Sequence, residues 1–338
     1  MTRARVHRVV AALGAVLVAA ACGRPRQSPG LTFGSGISTG NGVLSGTVVA
    51  YGTTTPVVGA TVRLGSAVAV SNSSGQFTLT GVPSSGQAIA SVVLPGYIPR
   101  GELVTLAAMQ TGVVLDIIPV NSPFDLMFYR AFARDSLGSS TLLATQHWTM
   151  APQFYIQDLT TDTSTVVPGD VIQSIEDNVT QAVQELTGGR FQVGGFTVGD
   201  GAMAVQTGWV IITFSTAAPG GNTGTATLAT NMGSMLLQYD PTVASNSFNN
   251  PNNCASVTLA AADALVFHVM GFWHTGSAAD ELSGGGCSGA GRSAIAVYHA
   301  ALMYSRPPGN IDQDTDTVGA TSVPATRIEC AWPSGCRR

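Results

Sequence analysis

The stretch "ALVFHVMGFWHTG", residues 264–276, determines how the second half of the chain is interpreted. Two histidines, His268 and His274, flank Gly271 in the spacing H-x-x-G-x-x-H, and most of the other side chains are apolar. We expect a helix from about residue 256 to 270 that ends at Gly271, since glycine commonly follows the last turn of a helix. Histidines on both sides of such a turn can bind the same transition metal. The stretch therefore predicts an apolar helix with a candidate metal site at its end.

The segments before this helix alternate between strand and helix patterns. In "PGDVIQSIEDNVTQAVQELTGGR", residues 168–190, apolar side chains recur at helical spacing until the pair Gly188 and Gly189. Strand patterns lie on both sides of this helix, at residues 144–158, 207–215, 224–230 and 235–240. The order strand, helix, several strands and helix predicts an α/β layer.

Short strand patterns separated by turns fill residues 42–120, which predicts an all-β sandwich. "GTVVAYGTTTPVVGATVRL" at 46–64, "SGQFTLTGVP" at 74–83 and "PGYIP" at 95–99 together resemble the carboxypeptidase regulatory-like, prealbumin-like sandwich. The resemblance implies a structural stalk, with weak binding of protein or glycan as the alternative. No histidine or cysteine lies in this segment.

From its middle onward, the opening stretch resembles the signature H-E-x-x-H-x-x-G-x-x-H of metzincin-type zinc peptidases. His268 matches the second zinc ligand, Gly271 the turn and His274 the third ligand. "YHAALMYSRPPGNID", residues 298–312, resembles the sequence that follows the zinc motif in bacterial secreted proteins of this kind, and Met303 is its candidate for the methionine turn. The resemblance implies a zincin-like fold, a zinc cofactor and a peptide or protein ligand.

The first half of that signature is missing. Ala264 occupies the position of the first ligand, and Leu265 occupies the position of the general base. Alanine cannot bind a metal, and leucine cannot transfer a proton, a step that typically contributes about 10²–10⁴-fold in rate. We therefore expect no catalytic residue in this segment and a catalytically impaired protein.

An acidic run, Asp312, Asp314 and Asp316, alternates with polar residues as calcium-binding loops do. Thr317 and Val323 stand where an EF-hand loop has its glycine and its last glutamate. We expect a solvated acidic turn, and a structural calcium site is the alternative.

The first 22 residues have the pattern of a targeting segment. Arg3, Arg5 and Arg8 precede an apolar run at 9–21, which is too short to span a bilayer. The small residues before Cys22 resemble a bacterial lipoprotein processing site, which implies lipidation of Cys22 and a membrane anchor. An ordinary secretory signal is the alternative. Both predict an exported protein, either a cell-envelope lipoprotein or a secreted one.

Export to an oxidising compartment makes the four other cysteines disulfide candidates. Their number permits three pairings. We favour Cys254 with Cys287, which would clamp both sides of the histidine segment, and Cys330 with Cys336, which closes a small loop.

The composition excludes a nucleic-acid partner. The net charge is −4 and charged residues make up only 10%, so the chain has no basic field to attract phosphates. Hydrophobic residues make up 45%, which is enough to form sizeable cores.

Together these patterns predict two domains, an all-β prealbumin-like sandwich followed by an α/β (α+β) zincin-like domain. The predicted division is a signal peptide at 1–22, a linker at 23–41, the sandwich at 42–120 and the metzincin-like domain at 121–338. The first functional hypothesis is a pseudopeptidase of the cell envelope that binds peptide or protein. The alternatives are an active zinc endopeptidase with a non-standard third ligand and base, and a structural envelope lipoprotein.

Overall fold

The computed structural model describes residues 40–218, 224–241, 257–276, 292–318, 328–332 and 335–337. The predicted signal peptide with Cys22, the linker up to residue 39, Cys254 and Cys287 lie outside the described residues. Among the helices of the described part, none combines the length and apolar character needed to cross a membrane.

Residues 42–117 fold into two sheets around a shared core. Their strands are β1 (Gly42–Ala50), β2 (Thr61–Leu64), β3 (Ala67–Val70), β4 (Gln76–Val82), β5 (Ser85–Val93), β6 (Arg100–Ala107) and β7 (Met109–Ile117). The three-stranded sheet has the order β4-β1-β7, and the four-stranded sheet has the order β3-β2-β5-β6. Strand β4 shows why they pack together: Phe77, Leu79 and Val82 are buried, whereas Gln76 and Thr78 are exposed. Successive strand side chains point to opposite faces, so one face enters the core.

The remaining elements are the strands of a seven-stranded sheet and four helices. They are α1 (Leu126–Arg134), β8 (Gln153–Thr160), α2 (Gly169–Leu186), β9 (Gly195–Gly199), β10 (Trp209–Ser215), β11 (Gly224–Ala229), β12 (Met232–Gln238), α3 (Val257–Val269), α4 (Ala294–Ser305), β13 (Ile328–Trp332) and β14 (Gly335–Arg337). The strand order is β14-β13-β11-β12-β10-β8-β9. Strands β12, β10, β8 and β9 run parallel, and β11, β13 and β14 pair antiparallel to their neighbours.

Helix α2 confirms the helix predicted within residues 168–190. It follows Pro168, whose fixed backbone angle suits a helix start, and Asp170 lies in the first turn, where a negative charge is favourable. One face of the helix is buried in the large core, through Val171, Ile172, Ile175, Val179, Ala182, Val183 and Leu186. The 3.6-residue spacing in the sequence therefore predicted the packing face correctly.

Helix α3, which carries His268, is a core element. Every residue from 264 to 273 is buried, and the helix packs against α2, β11, β12 and β13. A helix that is apolar all round is stable only when it is enclosed, because no face of it gains from contact with water. The structure confirms the helix predicted at 256–270, with ends at Val257 and Val269.

The sandwich is joined to the rest of the protein by backbone pairing at the edge of β6. The Gly101 amide donates to the Asp314 carbonyl at 2.9 Å, and the Asp316 amide donates to the Gly101 carbonyl at 2.8 Å. Gly101 and Thr315 form a parallel bridge. A Cβ atom at Gly101 would lie 2.8 Å from a methyl carbon of Thr315, so this approach requires glycine.

The predicted fold class, a prealbumin-like sandwich followed by an α/β (α+β) zincin-like domain, is wrong. The described residues are mostly β structure in three sheets with four helices, and no distinct α/β zincin-like domain stands apart within them. All of the described residues belong to one compact unit. Local periodicity detects single helices and strands, but it cannot detect the bridge between Gly101 and Thr315 or the pairing of β11 with β13. The domain boundary at residue 120 stays a prediction.

The backbone register supports one of the predicted disulfides. Cys330 and Cys336 are directly opposite each other in β13 and β14. Opposite residues of antiparallel strands have Cα atoms about 4.5–5.5 Å apart, within the range of about 4.4–6.8 Å that a disulfide spans. We expect non-reducing peptide mapping of the oxidised chain to recover a cross-link between Cys330 and Cys336. A peptide joining either of them to Cys254 or Cys287 would contradict this pairing.

Candidate functional site

The chain reverses at Gly271 and brings His268 and His274 together. His268 lies in the last turn of α3, and Gly271 has a φ of 103°, which L side chains rarely adopt. The centroids of the two imidazole rings are 4.9 Å apart, at an interplanar angle of 60°. The spacing H-x-x-G-x-x-H therefore produces a pair of adjacent imidazoles that are tilted relative to each other.

Contacts from two other segments hold this turn. A Cβ atom at Gly271 would lie 1.9 Å from the Gln146 carbonyl oxygen, so the two backbones touch where only glycine fits. The Trp148 indole nitrogen donates to the Val269 carbonyl at 2.6 Å. The Tyr304 hydroxyl donates to the carbonyl of Met270 at 2.8 Å. These bonds pair backbone carbonyls at the end of α3 that have no partner within the helix.

His268 is neutral and has a defined tautomer. Its Nδ1 lies 2.8 Å from the Phe272 carbonyl oxygen. Because a carbonyl only accepts, Nδ1 carries the hydrogen and Nε2 has the lone pair. Burial, together with the neighbouring His274 imidazole, lowers the pKa of His268 to about 3, although its bond to Phe272 opposes this. The neutral imidazole is the form that binds metals.

The positions that the metzincin resemblance assigns to the first ligand and the general base are filled by buried apolar side chains. Ala264 is 3% exposed and Leu265 is fully buried. Ala264 precedes His268 by about one helical turn, so a histidine there would face the same metal as His268. The methyl group of Ala264 and the aliphatic side chain of Leu265 instead complete the core.

The described residues do not fit a catalytic zinc site. Such a site takes three protein ligands and a water molecule, and no group of three His, Cys, Asp or Glu side chains able to hold a metal occurs among the described residues. Asp280 and Glu281, two further carboxylates near the pair in sequence, lie outside the described ranges. Among the described residues, the two imidazoles provide only two of the three ligands that such a site takes, and zinc binding stays a prediction.

Met303, the predicted methionine turn, lies within a helix. It is a buried residue of the last turn of α4. The apolar residues around it continue the helix to Ser305, where Arg306 adopts an extended backbone. The chain therefore turns after Arg306, not at Met303.

The two remaining histidines of the described part are structural. In His299, Nδ1 donates to the Ile295 carbonyl at 2.7 Å and Nε2 accepts from the Asp125 amide at 3.0 Å. The ring nitrogens of His147 lie 2.8 Å and 2.9 Å from the carbonyl oxygens of Trp148 and Arg306. Burial lowers the pKa of both histidines. Each is held as a bridge between segments.

The acidic run at 312–316 binds arginines. Asp312 pairs with Arg130 at 2.7 Å. Asp314 pairs with Arg306 at 2.8 Å, and Asp316 pairs with Arg100 at 2.7 Å. The expectation of a solvated acidic turn is wrong for Asp314 and Asp316, which are buried. Guanidinium groups from distant parts of the chain neutralise these carboxylates, and the alternative of a structural calcium ion stays untested.

Comparison with known proteins gives little beyond this geometry. No protein-family model matches the chain, and no curated protein matches it either. Two solved structures that match in part are type II cohesin–X-dockerin complexes from Acetivibrio cellulolyticus, one an N-terminal and the other a C-terminal interface mutant. Both matches have 20% sequence identity and a TM-score of 0.20, and they cover 23% and 26% of this chain and 58% and 67% of the matched chains. A TM-score this low assigns neither a fold nor a function.

Replacing Gly271 by alanine should destabilise the protein strongly. The new methyl group would collide with the Gln146 carbonyl and force an unfavourable φ, which we expect to cost about 3 kcal/mol or more. Gly52 is the matched control, because its φ is 72° but a Cβ atom there meets nothing within 4 Å. Gly52→Ala should cost only ~1 kcal/mol. Urea unfolding measures both, and equal losses would contradict a close approach at Gly271.

Acid should destabilise the protein through its buried histidines. Each binds a proton near pH 6.5 when unfolded, but their lowered folded pKa values resist protonation. The contribution of these histidines to the free energy of unfolding is therefore complete above about pH 6.5 and declines as the pH falls toward the folded pKa values. For His268→Gln, the slope between about pH 6 and pH 4.5 should be shallower by up to ~1.4 kcal/mol per pH unit. Urea unfolding at several pH values measures this, and identical slopes would exclude His268 as a contributor.

Proposed function

We propose that this chain is an exported, non-catalytic relative of metzincin-type zinc peptidases that binds a peptide or protein without cleaving it. One observation carries the proposal. The ring centroids of His268 and His274 lie 4.9 Å apart, while Ala264 and Leu265 fill the positions of the first ligand and the base with buried apolar groups.

The retained half of the signature supports descent from a metal-binding ancestor. The pairing needs the turn at Gly271, and that turn needs a residue without a side chain. The bond to the Phe272 carbonyl also holds His268 in the tautomer with its lone pair on Nε2, one of the two imidazole nitrogens that bind metals. These constraints act together on three positions of the sequence, His268, Gly271 and His274.

The lost half of the signature argues against peptide hydrolysis. A zinc peptidase needs a base to take a proton from the metal-bound water. Leu265 has no titratable group, and its side chain is fully buried among the apolar residues of the large core. Restoring a glutamate there would place a carboxylate among apolar side chains, which is costly.

The surface beside the pair suits contact with a partner. Gly276 is exposed, and a Cβ atom there would lie 3.2 Å from Leu137, whose side chain is 62% exposed. His274 and Thr275 are partly exposed between this point and the core. An exposed leucine next to partly exposed polar residues offers one apolar contact for a peptide side chain.

We also propose that the protein acts at the cell envelope. The support is the amino-acid sequence of residues 1–22, with its basic start, apolar run and small residues before Cys22. Lipidation of Cys22 would provide a membrane anchor, and cleavage as an ordinary secretory signal would release the protein.

We expect the purified chain to bind fluorescein-labelled casein, an unstructured protein, without cleaving it. Fluorescence anisotropy measures binding, and the release of labelled fragments measures cleavage in the same samples. Zinc content is determined in parallel by mass spectrometry of the metal. The variant His268→Ala tests whether any bound zinc depends on His268. The variant Gly52→Ala controls for nonspecific effects of substitution and purification.

Each result selects one function. Saturable binding, no fragments and less than one zinc per chain support the proposal. One zinc per chain that is lost in His268→Ala, together with fragments, would establish an active zinc endopeptidase with a replacement ligand and base. No binding and no cleavage would leave a structural envelope protein.

A further inference from the structure

A buried group of charged side chains lies where the sandwich meets the rest of the protein. We call it the junction cluster, and its members are Arg100, Glu102, Asp116, Arg306, Asp314 and Asp316. The first three belong to β6 and β7, and the last three follow α4. The side chains of Arg100, Arg306, Asp314 and Asp316 are only 2–3% exposed.

The two arginines have several carboxylate partners each. Arg100 binds both carboxylate oxygens of Asp316, at 2.7 Å and 2.8 Å. Arg306 lies 2.8 Å from Asp314 and 2.6 Å from Asp116. The distance from Arg100 to Glu102 is longer, at 3.7 Å. Glu102 is therefore the most weakly paired carboxylate of the cluster.

The cluster contains more carboxylates than guanidinium groups. Arg100 and Arg306 face four carboxylates. A third arginine, Arg134, reaches the cluster only through Asn310, whose amide nitrogen donates to Asp314 and Asp316. Even with Arg134 included, one negative charge is in excess. A buried charge without a matching partner is costly, and such a group commonly becomes neutral.

Glu102 is the member that can become neutral. Burial raises its pKa to about 7; the positive charges of Arg100 and Arg306 lower it, and the negative charges of Asp116 and Asp316 raise it further. In contrast, Arg306 and Arg100 hold the pKa of Asp314 below its usual value despite burial. The side chain of Glu102 is 24% exposed, so a proton can exchange with solvent.

We propose that the junction cluster is a proton-sensitive clasp, in which Glu102 holds a proton while residues 306–316 are docked on β6 and releases it when they separate. When Glu102 is protonated, the carboxylates that lie close to the arginines, namely Asp116, Asp314 and Asp316, keep their full charge. Protonation removes only the excess negative charge. The clasp depends on this charge balance alone, and it holds whether or not the chain binds a peptide.

The direction of the pH dependence follows from linkage. An undocked Glu102, exposed to water, would have a pKa of about 4.3, whereas the docked residue has one of about 7. The docked form therefore binds more protons between these values. Docking is most favourable below about pH 4.3 and weakens as the pH rises to about 7, above which it changes no further.

The clasp is connected to the candidate functional site. The Thr145 amide donates to the Asn310 carbonyl at 2.9 Å, and the Gly309 amide donates to the Thr145 carbonyl at 2.8 Å. The next residue, Gln146, touches Gly271 at the turn between the two histidines. Undocking of residues 306–316 would thus loosen the segment against which that turn packs.

Two measurements on the full chain test the clasp. The first is the titration of the Glu102 carboxyl carbon by NMR, which needs no substitution and should give a midpoint near 7. The second is amide hydrogen exchange at Gly101, Thr315 and Asp316, whose hydrogen bonds cross or adjoin the junction. After correction for the intrinsic pH dependence of exchange, protection should fall at least about tenfold between pH 5 and pH 7.

Three variants separate the clasp from global unfolding. Glu102→Gln, which mimics the protonated acid, should make this protection independent of pH over that window. Glu176→Gln on α2 is the matched control and should behave as the unmodified chain. Asp116→Asn removes another carboxylate, so Glu102 should then titrate at a lower pH. Amides of β10 report global unfolding and should not follow the same curve.

Titration of Glu102 near its ordinary value of about 4.3 would overturn the proposal even if no variant folds. Protection at Gly101 and Asp316 that stays constant between pH 5 and pH 7 would also overturn it. The same holds if Glu102→Gln retains the pH dependence of the unmodified chain.

Discussion

Two buried guanidinium groups constrain how the sandwich and the seven-stranded sheet pack together. Arg100 comes from β6 and Arg306 from the end of α4, and both are almost fully buried. A buried cation is tolerated only when carboxylates and hydrogen bonds compensate for its lost hydration. Asp314 and Asp316 provide this compensation. Their carboxylates lie within reach of the guanidinium groups because their backbone pairs with Gly101. Removing the sandwich would leave these carboxylates without Arg100, so the sandwich is a structural part of the unit, not a detachable spacer.

The same segment positions the histidine pair. Residues 306–310 bond to His147 and Thr145, and Gln146 between them packs against Gly271. One member of the pair has a structural role, because His268 donates a hydrogen bond to the Phe272 carbonyl at the end of α3. A buried imidazole that is neutral and hydrogen-bonded costs little to keep. The two histidines are therefore compatible with the buried apolar side chains of Ala264 and Leu265 on α3.

Some of the candidate site was predictable from the sequence, and some was not. The helix around His268 and the turn at Gly271 follow from local patterns, because glycine permits a φ that other residues avoid. The prediction that Met303 forms a methionine turn was wrong, because Met303 lies within α4. A resemblance between short sequences does not show where a helix ends. The partners of the acidic run were missed because Arg100 is 214 positions away from Asp314 and 216 from Asp316. No signal within the run itself indicates that these carboxylates are buried.

The sequence by itself determined the helices within residues 168–190 and 256–270, several of the strands, the apolar face of α2, and that Ala264 and Leu265 can neither bind a metal nor transfer a proton. These properties depend on neighbours within a few residues, which periodicity records. Only the tertiary structure decided that the strands form three sheets in one compact unit and that Asp314 and Asp316 neutralise buried arginines. The physical reason is that burial and charge pairing depend on which distant segments meet, and the cost of an unpaired buried charge favours arrangements in which such a group finds a partner or becomes neutral.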